Sequence, residues 1–151
     1  YIRFLNNDPR VTYAGHVTRA QLVAWQQQAK VMAYPCQFPE GFCLSAAECM
    51  AAGAVPVTTD DFALRTTVSG GGTLIRGNPA TRWARPLYRR RFVHAVVELL
   101  RDDALWRRRS AAAGERAVAE FSPTVVADRV LAFAVERRCA TTGAVALQGM
   151  A

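Results

Sequence analysis

The chain has 151 residues, of which 51% are hydrophobic and 21% charged, the balance of an ordinary soluble domain with a real core. Its apolar stretches are interrupted by charge, Gly or Pro well before the ~20 residues that a membrane span requires. The opening Tyr1-Ile2-Arg3-Phe4 has no signal-peptide pattern. We therefore expect neither a transmembrane helix nor a signal peptide, and the absence of an initiator Met predicts a truncated or processed start.

The formal net charge is +7, and most of the excess comes from arginine clusters at 89–91, 107–109 and 137–138. Such clusters can attract nucleic acid, anionic lipid or phosphate-bearing substrates, and they are also typical of solvated helix faces. No aromatic residues alternate with them as in a base-stacking platform. We expect solvated helix faces and no specific nucleic-acid partner. Association with a membrane surface is left open but is not indicated.

The four cysteines follow no zinc or redox spacing. Cys49 lies in an apolar helical stretch, where a small buried thiol is the default. We interpret all four as reduced, which fits a cytoplasmic protein; they are Cys36, Cys43, Cys49 and Cys139.

The first half of the chain alternates predicted strands and helices. Apolar runs without alternation, such as the one at 31–34, are typical of strands buried on both faces of a parallel sheet. Thr18 and Ser45 are predicted helix N-caps, and Gly53 a helix end. In chain order we predict the end of a helix at 2–6, a strand at 11–15, a helix at 19–29 with Leu22, Val23, Trp25 and Ala29 on one face, a strand at 31–34, a helix that Ser45 begins and Gly53 ends, a strand at 54–58, a helix at 61–68, a turn at 70–72 and a strand at 73–76.

The second half favours helices only, between about 85 and 137. Ser122 and Pro123 predict the cap and first residue of the third helix. The predicted inward faces are Phe92, Val93, Val96, Val97 and Leu100, then Leu105, Ala112 and Val118, then Val126, Val130, Phe133 and Ala134. The fold class is therefore α/β, with a Rossmann-like parallel sheet of about four strands, flanking helices and a trailing helical segment. One domain occupies 1–140, and a Gly/Ala-rich flexible tail occupies 141–151.

The segment at 35–53 is the most informative on function. In open α/β sheets, ligands bind at the carboxyl ends of strands, and a helix N-terminus there stabilises a phosphate. Glu40 and Glu48 frame the segment, so both carboxylates can face one pocket with the amides of 42–45 between them. The structural alternative is that Ser45 and Glu48 form a capping box and that Glu40 is a solvated turn residue. Composition alone favours the capping box.

Residues 11–75 resemble the carboxy-terminal, nucleotide-sugar-binding domain of glycosyltransferase family 4, whose members are retaining enzymes of the GT-B fold. Phe121-Ser122 also resembles the Phe-Ser that precedes the last helix of the family. The main motifs that carry the resemblance are Tyr13-Ala14-Gly15-His16-Val17, Tyr34-Pro35-Cys36, Glu40-Gly41-Phe42-Cys43, Glu48-Cys49-Met50-Ala51-Ala52-Gly53 and Val55-Pro56-Val57. The resemblance implies half of a GT-B fold and transfer of a sugar, with retention, from a UDP- or GDP-sugar to an acceptor, without cofactor or metal.

By position, the resemblance implies that Glu40 is the catalytic acid that contacts the transferred sugar and that Glu48 binds the ribose hydroxyls. Backbone that faces the sugar and diphosphate comes from Gly41, Phe42, Cys43, Leu44 and Ser45, and the base lies near Gly15, His16 and Val17.

The sequence departs from the family at several positions. Cys43 stands where the family has Gly, so a backbone angle that Gly permits is expected to be lost. Cys36 replaces a Ser, and Arg65 lies near the position of a family Glu. The phosphate-binding Arg and Lys of the family lie on earlier strand–helix units, and its acceptor domain is amino-terminal.

These departures lead us to expect a fragment that is inactive alone, with an exposed sheet edge that invites self-association. The alternatives are a degenerate donor domain that binds nucleotide sugars without catalysis and, from another class, a basic nucleic-acid-binding module.

Overall fold

Three strands, β1 (Val31–Tyr34), β2 (Val55–Thr59) and β3 (Thr73–Ile75), form a parallel sheet with β2 in the centre. They belong to a computed structural model that describes residues 8–77 and 85–148, with side chains described up to residue 137. The helices are α1 (Arg19–Gln28), α2 (Leu44–Ala51), α3 (Leu64–Thr67), α4 (Pro86–Arg101), α5 (Asp103–Phe121) and α6 (Pro123–Gln148). The predicted α/β class with a parallel sheet is confirmed.

The central strand β2 is buried along its whole length, as its unbroken apolar run predicts. Pro56 is accommodated at its second residue. The N–H of Val55 donates to the carbonyl of Lys30 on the β1 side, so the polar groups of the next residue face β3. Because β3 begins only at Thr73, opposite Val57, the missing N–H of Pro56 falls where no β3 partner is available.

Helix α4 covers one face of the sheet. Its buried residues recur at the spacing of one helix face and pack on strand side chains; the cluster comprises Tyr88, Phe92, Ala95 and Leu99 with Val55, Val57 and Ile75. The predicted face is therefore wrong in detail, since Val93 and Leu100 are exposed. The opposite face of the sheet is covered by the loop after β1, by α2 and by α3, through Cys36, Cys43, Ala46, Leu64 and Val68.

Helices α2 and α5 lie against each other through small residues. Met50 is completely buried and packs against Ala113 and Ala117. At the end of α2, the hydroxyl of Ser110 donates to the carbonyl of Gly53 at 2.7 Å. These contacts fix the direction of α2 relative to the sheet.

The predicted strand at 11–15 is not formed, so the sheet has three strands and not four. Val11 and Tyr13 are exposed, and the register of β1 pairs it only with β2 among the described residues. A short extended run without a partner strand leaves its N–H and C=O groups to water and gains nothing from pairing. The predicted helix end at 2–6 lies outside the described residues.

Three other predicted helix faces differ from the structure. On the predicted face of α1, Leu22, Val23 and Ala29 are half-buried, but Trp25 is exposed and the buried residue is Gln26. In α5, Leu105 and Ala112 are half-buried, but Val118 is exposed. In α6 the residues expected to face inward are exposed, with Phe133 58% exposed, because the described contacts of α6 are mainly with α5. Pro123 begins α6 as predicted, and Val126 bonds back to the Ser122 carbonyl.

Helix α6 continues past residue 141 to Gln148, so the predicted boundary of the tail does not coincide with the end of regular structure. The flexibility of the tail stays a prediction, and residues 149–151 lie outside the described residues. Among the helices that the structure describes, none combines the length and apolarity that crossing a bilayer demands.

We predict that Asp60→Asn destabilises the domain at neutral pH by about 1–2 kcal/mol. Asp60 directly follows β2, and its carboxylate accepts hydrogen bonds from Arg65 and Arg76, each at 2.9 Å. Burial alone would raise the pKa of Asp60, but the hydrogen bonds and charges of the two arginines bring it below its ordinary value. A lowered folded-state pKa contributes stability above the unfolded-state value of about 3.9 that is lost as the pH falls through the lowered pKa.

The measurement is urea unfolding of both proteins from pH 7 to pH 2. The stability difference should narrow below about pH 4, as Asp60 of the wild type becomes protonated. Asp103→Asn, which removes the exposed pair with Lys30, is the control and should have a much smaller effect. A constant difference across the whole pH range would contradict the ionic role of Asp60.

Candidate functional site

The loop between β1 and α2 ends at a residue with left-handed backbone. Cys43 has φ 64° and ψ 72°, although non-Gly residues seldom adopt this region. Its carbonyl accepts the N–H groups of Ala46 and Ala47 at 3.1 and 3.3 Å. Helix α2 therefore begins at Leu44, and the expectation that Cys43 cannot adopt a glycine-like angle is wrong.

Ser45 is consequently not the N-cap of α2, and the predicted capping box is not formed. Cys43 holds the cap position and makes no side-chain hydrogen bond to the helix. Glu48 is the fifth residue of α2 and therefore lies beyond its first turn. Because the first N–H groups of a helix precede its first internal hydrogen bond, those of Leu44 and Ser45 point away from the body of α2.

Glu40 lies beside this helix start, at the carboxyl end of β1. The hydroxyl of Tyr34 donates to Oε1 of Glu40 at 2.6 Å. Burial raises the pKa of Tyr34 well above its ordinary value, and the bond to Glu40 raises it further, so Tyr34 remains a donor. Both residues line a cavity of about 560 Å³, whose other walls are Met32, Phe42, Cys43, Leu44 and Ser45.

Glu48 is held by two side chains of α1. Arg19 donates to Oε1 at 2.8 Å, and Gln26 donates to Oε2 at 3.4 Å. Neither residue was recognised from the sequence, because the helical pattern favoured the apolar face of α1. The available signal was their spacing of seven positions, which places Arg19 and Gln26 on one face two turns apart.

The two glutamates line adjoining cavities and not a single pocket. Glu48 belongs to an apolar cavity of about 750 Å³ between α2 and the junction of α5 and α6. Phe42 and Leu44 contribute to both cavities. The start of α2 therefore stands between the two carboxylates.

The residues expected near a base lie in the segment before α1. Gly15 has φ 60°, which favours Gly; Gly15 and His16 are exposed, and Val17 is half-buried. Thr18 follows and caps α1 in a capping box with Gln21, as predicted for the cap. The segment at 15–17 is connected to the glutamates only indirectly, through Arg19 in the first turn of α1, which contacts Glu48.

We predict that Cys43→Gly is more stable than Cys43→Ala by about 1 kcal/mol, because only Gly adopts the left-handed backbone without steric cost. Both variants lose the same thiol, so their difference isolates the backbone term. Chemical unfolding of the two proteins measures it. As a control, Ala111→Gly, at an exposed position inside α5, should lower the free energy of unfolding by about 1 kcal/mol. Equal stability of the two Cys43 variants would exclude strain at this residue.

Comparison with known proteins identifies the family of the chain. The sequence profile of the family described as Glycosyl transferases group 1 matches residues 1–113, a stretch that includes the whole sheet, both glutamates and the start of α2. A search of curated proteins gives no match. The profile covers most of the 151 residues, and the chain therefore belongs to the group 1 glycosyl transferases.

Proposed function

We propose that this chain forms the donor side of a retaining glycosyl transfer and binds a nucleotide-diphosphate-sugar of the UDP or GDP type. The observation that carries the proposal is the arrangement around Glu40: a carboxylate oriented by Tyr34, at the carboxyl end of β1, in a cavity whose wall is the start of α2. A carboxylate beside helix amides suits a ligand that develops positive charge next to a departing anion.

The leaving diphosphate is proposed to bind at the start of α2. The amides of Leu44 and Ser45 come before the first hydrogen bond of the helix, and the helix dipole adds a partial positive charge there. Donors fixed in this way need no reorganisation as negative charge accumulates on the diphosphate. The left-handed backbone of Cys43 supports this role, because it turns the loop into α2 as a Gly would.

Glu40 is proposed to contact the transferred sugar and to stabilise its oxocarbenium-like transition state. Tyr34 occupies Oε1, and Oε2 has no hydrogen-bond partner among the described residues. The Tyr34 bond restricts rotation of the carboxyl group, so Glu40 is held in place before the sugar arrives. In this proposal the acceptor is presented by a separate domain that faces the same cavity.

Glu48 is proposed to bind the ribose hydroxyls. Its contacts with Arg19 and Gln26 use one bond on each oxygen, and an ionised carboxylate accepts about four in all. Capacity for a diol therefore remains. Because Arg19 belongs to the helix that follows 15–17, the same ion pair connects the proposed ribose contact with the segment proposed to lie near the base.

We expect UDP or GDP to raise the melting temperature of the chain. Glu48→Gln should weaken the binding of that nucleotide about tenfold, since a hydrogen bond to a charged group contributes about 1.5–3 kcal/mol. Glu40→Gln should leave the affinity for the nucleotide unchanged and weaken the affinity for the sugar nucleotide. Titration calorimetry with UDP, GDP, UDP-glucose and GDP-mannose separates the two effects.

Glu115→Gln, an exposed glutamate of α5, is the matched control and should bind as the wild type does. Equal affinities of the wild type and Glu48→Gln for every nucleotide would contradict the proposed ribose contact. Steeply salt-dependent binding of DNA or RNA without nucleotide binding would favour the nucleic-acid alternative instead.

A further inference from the structure

Phe42, which lies between the two cavities, is held through both its backbone and its ring. The hydroxyl of Thr67, a residue only 2% exposed, donates to the Phe42 carbonyl at 2.6 Å. The Phe42 ring meets the Phe121 ring edge-on, with centroids 5.1 Å apart and planes at 83°, a favoured aromatic geometry. Thr67 belongs to α3 and Phe121 ends α5, so two separate helices fix one loop residue.

Arg116 of α5 joins these two anchors. Its Nε donates to the Thr67 carbonyl at 3.3 Å, and its Nη2 donates to the Thr66 carbonyl. Its guanidinium lies 5.7 Å from the centre of the Phe121 ring, within the range of a cation–π contact. The contacts close a circuit, which we call the Arg116 circuit, of Phe42, Thr67, Arg116 and Phe121.

The chemistry of the circuit suits Arg in particular. The last carbonyls of a helix lack internal partners, and α3 ends at Thr67. The planar fork of Arg can satisfy two of them while its face covers an aromatic ring. A Lys would provide charge without the fork.

Glycine at position 71 brings Arg116 within reach. A Cβ atom at Gly71 would lie 3.4 Å from Cδ of Arg116, 3.2 Å from Cα of Ala113 and 2.3 Å from Cε of Met50. A side chain there would displace the tip of Met50 and press on the backbone of α5 at Ala113. The predicted glycine turn is thus also a contact surface for α5.

We propose that Arg116 is a positioning residue for the loop at 40–43: through Thr67 and Phe121 it fixes Phe42, and with it the start of α2 where the diphosphate is proposed to bind. The role of this loop in binding the donor rests on the proposed function. The positioning of the loop by Arg116 rests on the contacts alone. Arg116 itself does not line either of the two cavities.

Hydrogen exchange of the full chain tests the positioning directly. The reporters are the amides of Ala46 and Ala47, which bond to the Cys43 carbonyl, and the amide of Ala63, which bonds to the Glu40 carbonyl at 3.2 Å. Exchange at these amides should be about tenfold faster in Thr67→Val and in Arg116→Met, since each removes hydrogen bonds that hold the loop and α3 together. Amides of α4 serve as the internal reference for global unfolding.

Conservative variants separate positioning from general destabilisation. Thr67→Ser keeps the hydroxyl and should exchange as the wild type does, and Arg116→Lys should be intermediate. Ser110→Ala removes another hydrogen bond from α5 to a backbone carbonyl, that of Gly53, and should leave the three reporters unchanged. In the double variant Thr67→Val/Arg116→Met, the acceleration of exchange should be smaller than the product of the two single accelerations, because both substitutions break the same circuit.

Binding of UDP and GDP then connects the circuit with the proposed function. Arg116→Met should lower the affinity for the nucleotide by about the same factor as it accelerates exchange at the amides of Ala46 and Ala47. Unchanged exchange at the reporters in Arg116→Met, or an equal response in Ser110→Ala, would overturn the inference. If the wild type binds no nucleotide, the proposed function fails, and the exchange data still decide whether Arg116 positions the loop.

Discussion

The structure depends on the close approach of α2 and α5 around Met50. The Met50 side chain has no solvent exposure and packs against Ala113 and Ala117, and Gly71 leaves room for its tip. Helices approach this closely only where the facing residues are small. Because α2 is fixed at Met50, its start can hold the loop after β1, and α5 can deliver Arg116 and Phe121 to the other side of that loop.

The polar groups of the site are arranged along the same helix. Glu40 is bound by a residue of β1 and Glu48 by residues of α1, so a different element orients each carboxylate. The start of α2 lies between them and supplies backbone amides. A ligand with a sugar at one end, a diphosphate in the middle and a ribose at the other end has the same order of chemical groups.

Much of the fold could be predicted from local sequence patterns. The apolar runs of β1 and β2 and the Thr18 cap are local signals, and the structure confirms both strands and the cap. The predicted burial of β1 on both faces is wrong, since this strand is half-buried at an edge of the described sheet and Ala33 is exposed. The predicted strand at 11–15 failed because a strand is stable only with a partner, and partners are not encoded locally. The Ser45 cap failed for a related reason, since tertiary contacts place Cys43 in a conformation that its residue type disfavours.

The family was easier to predict than the contacts of the candidate site. The motif around Glu40 and Glu48 is contiguous in the sequence, and the family profile confirms that it belongs to a glycosyl transferase. Arg19 and Gln26 contact Glu48 from 29 and 22 residues away along the chain. Arg116 binds the carbonyl of Thr66 from 50 residues away and does not contact either glutamate. Polar side chains at such separations follow no periodic pattern, so only the packed structure shows which of the many arginines matter.

The buried cysteines offer a chemical view of the same region. Cys43 begins α2 and Cys49 lies within it, and both are buried without a disulfide. Burial raises the pKa of both thiols above the ordinary value, so at neutral pH neither is present as a reactive thiolate to a large extent. A thiol-specific reagent should therefore modify Cys49, which lines neither cavity, mainly when α2 moves away from its neighbours. The rate of this modification therefore measures how often the helix opens, and the measurement requires neither a ligand nor knowledge of the substrate.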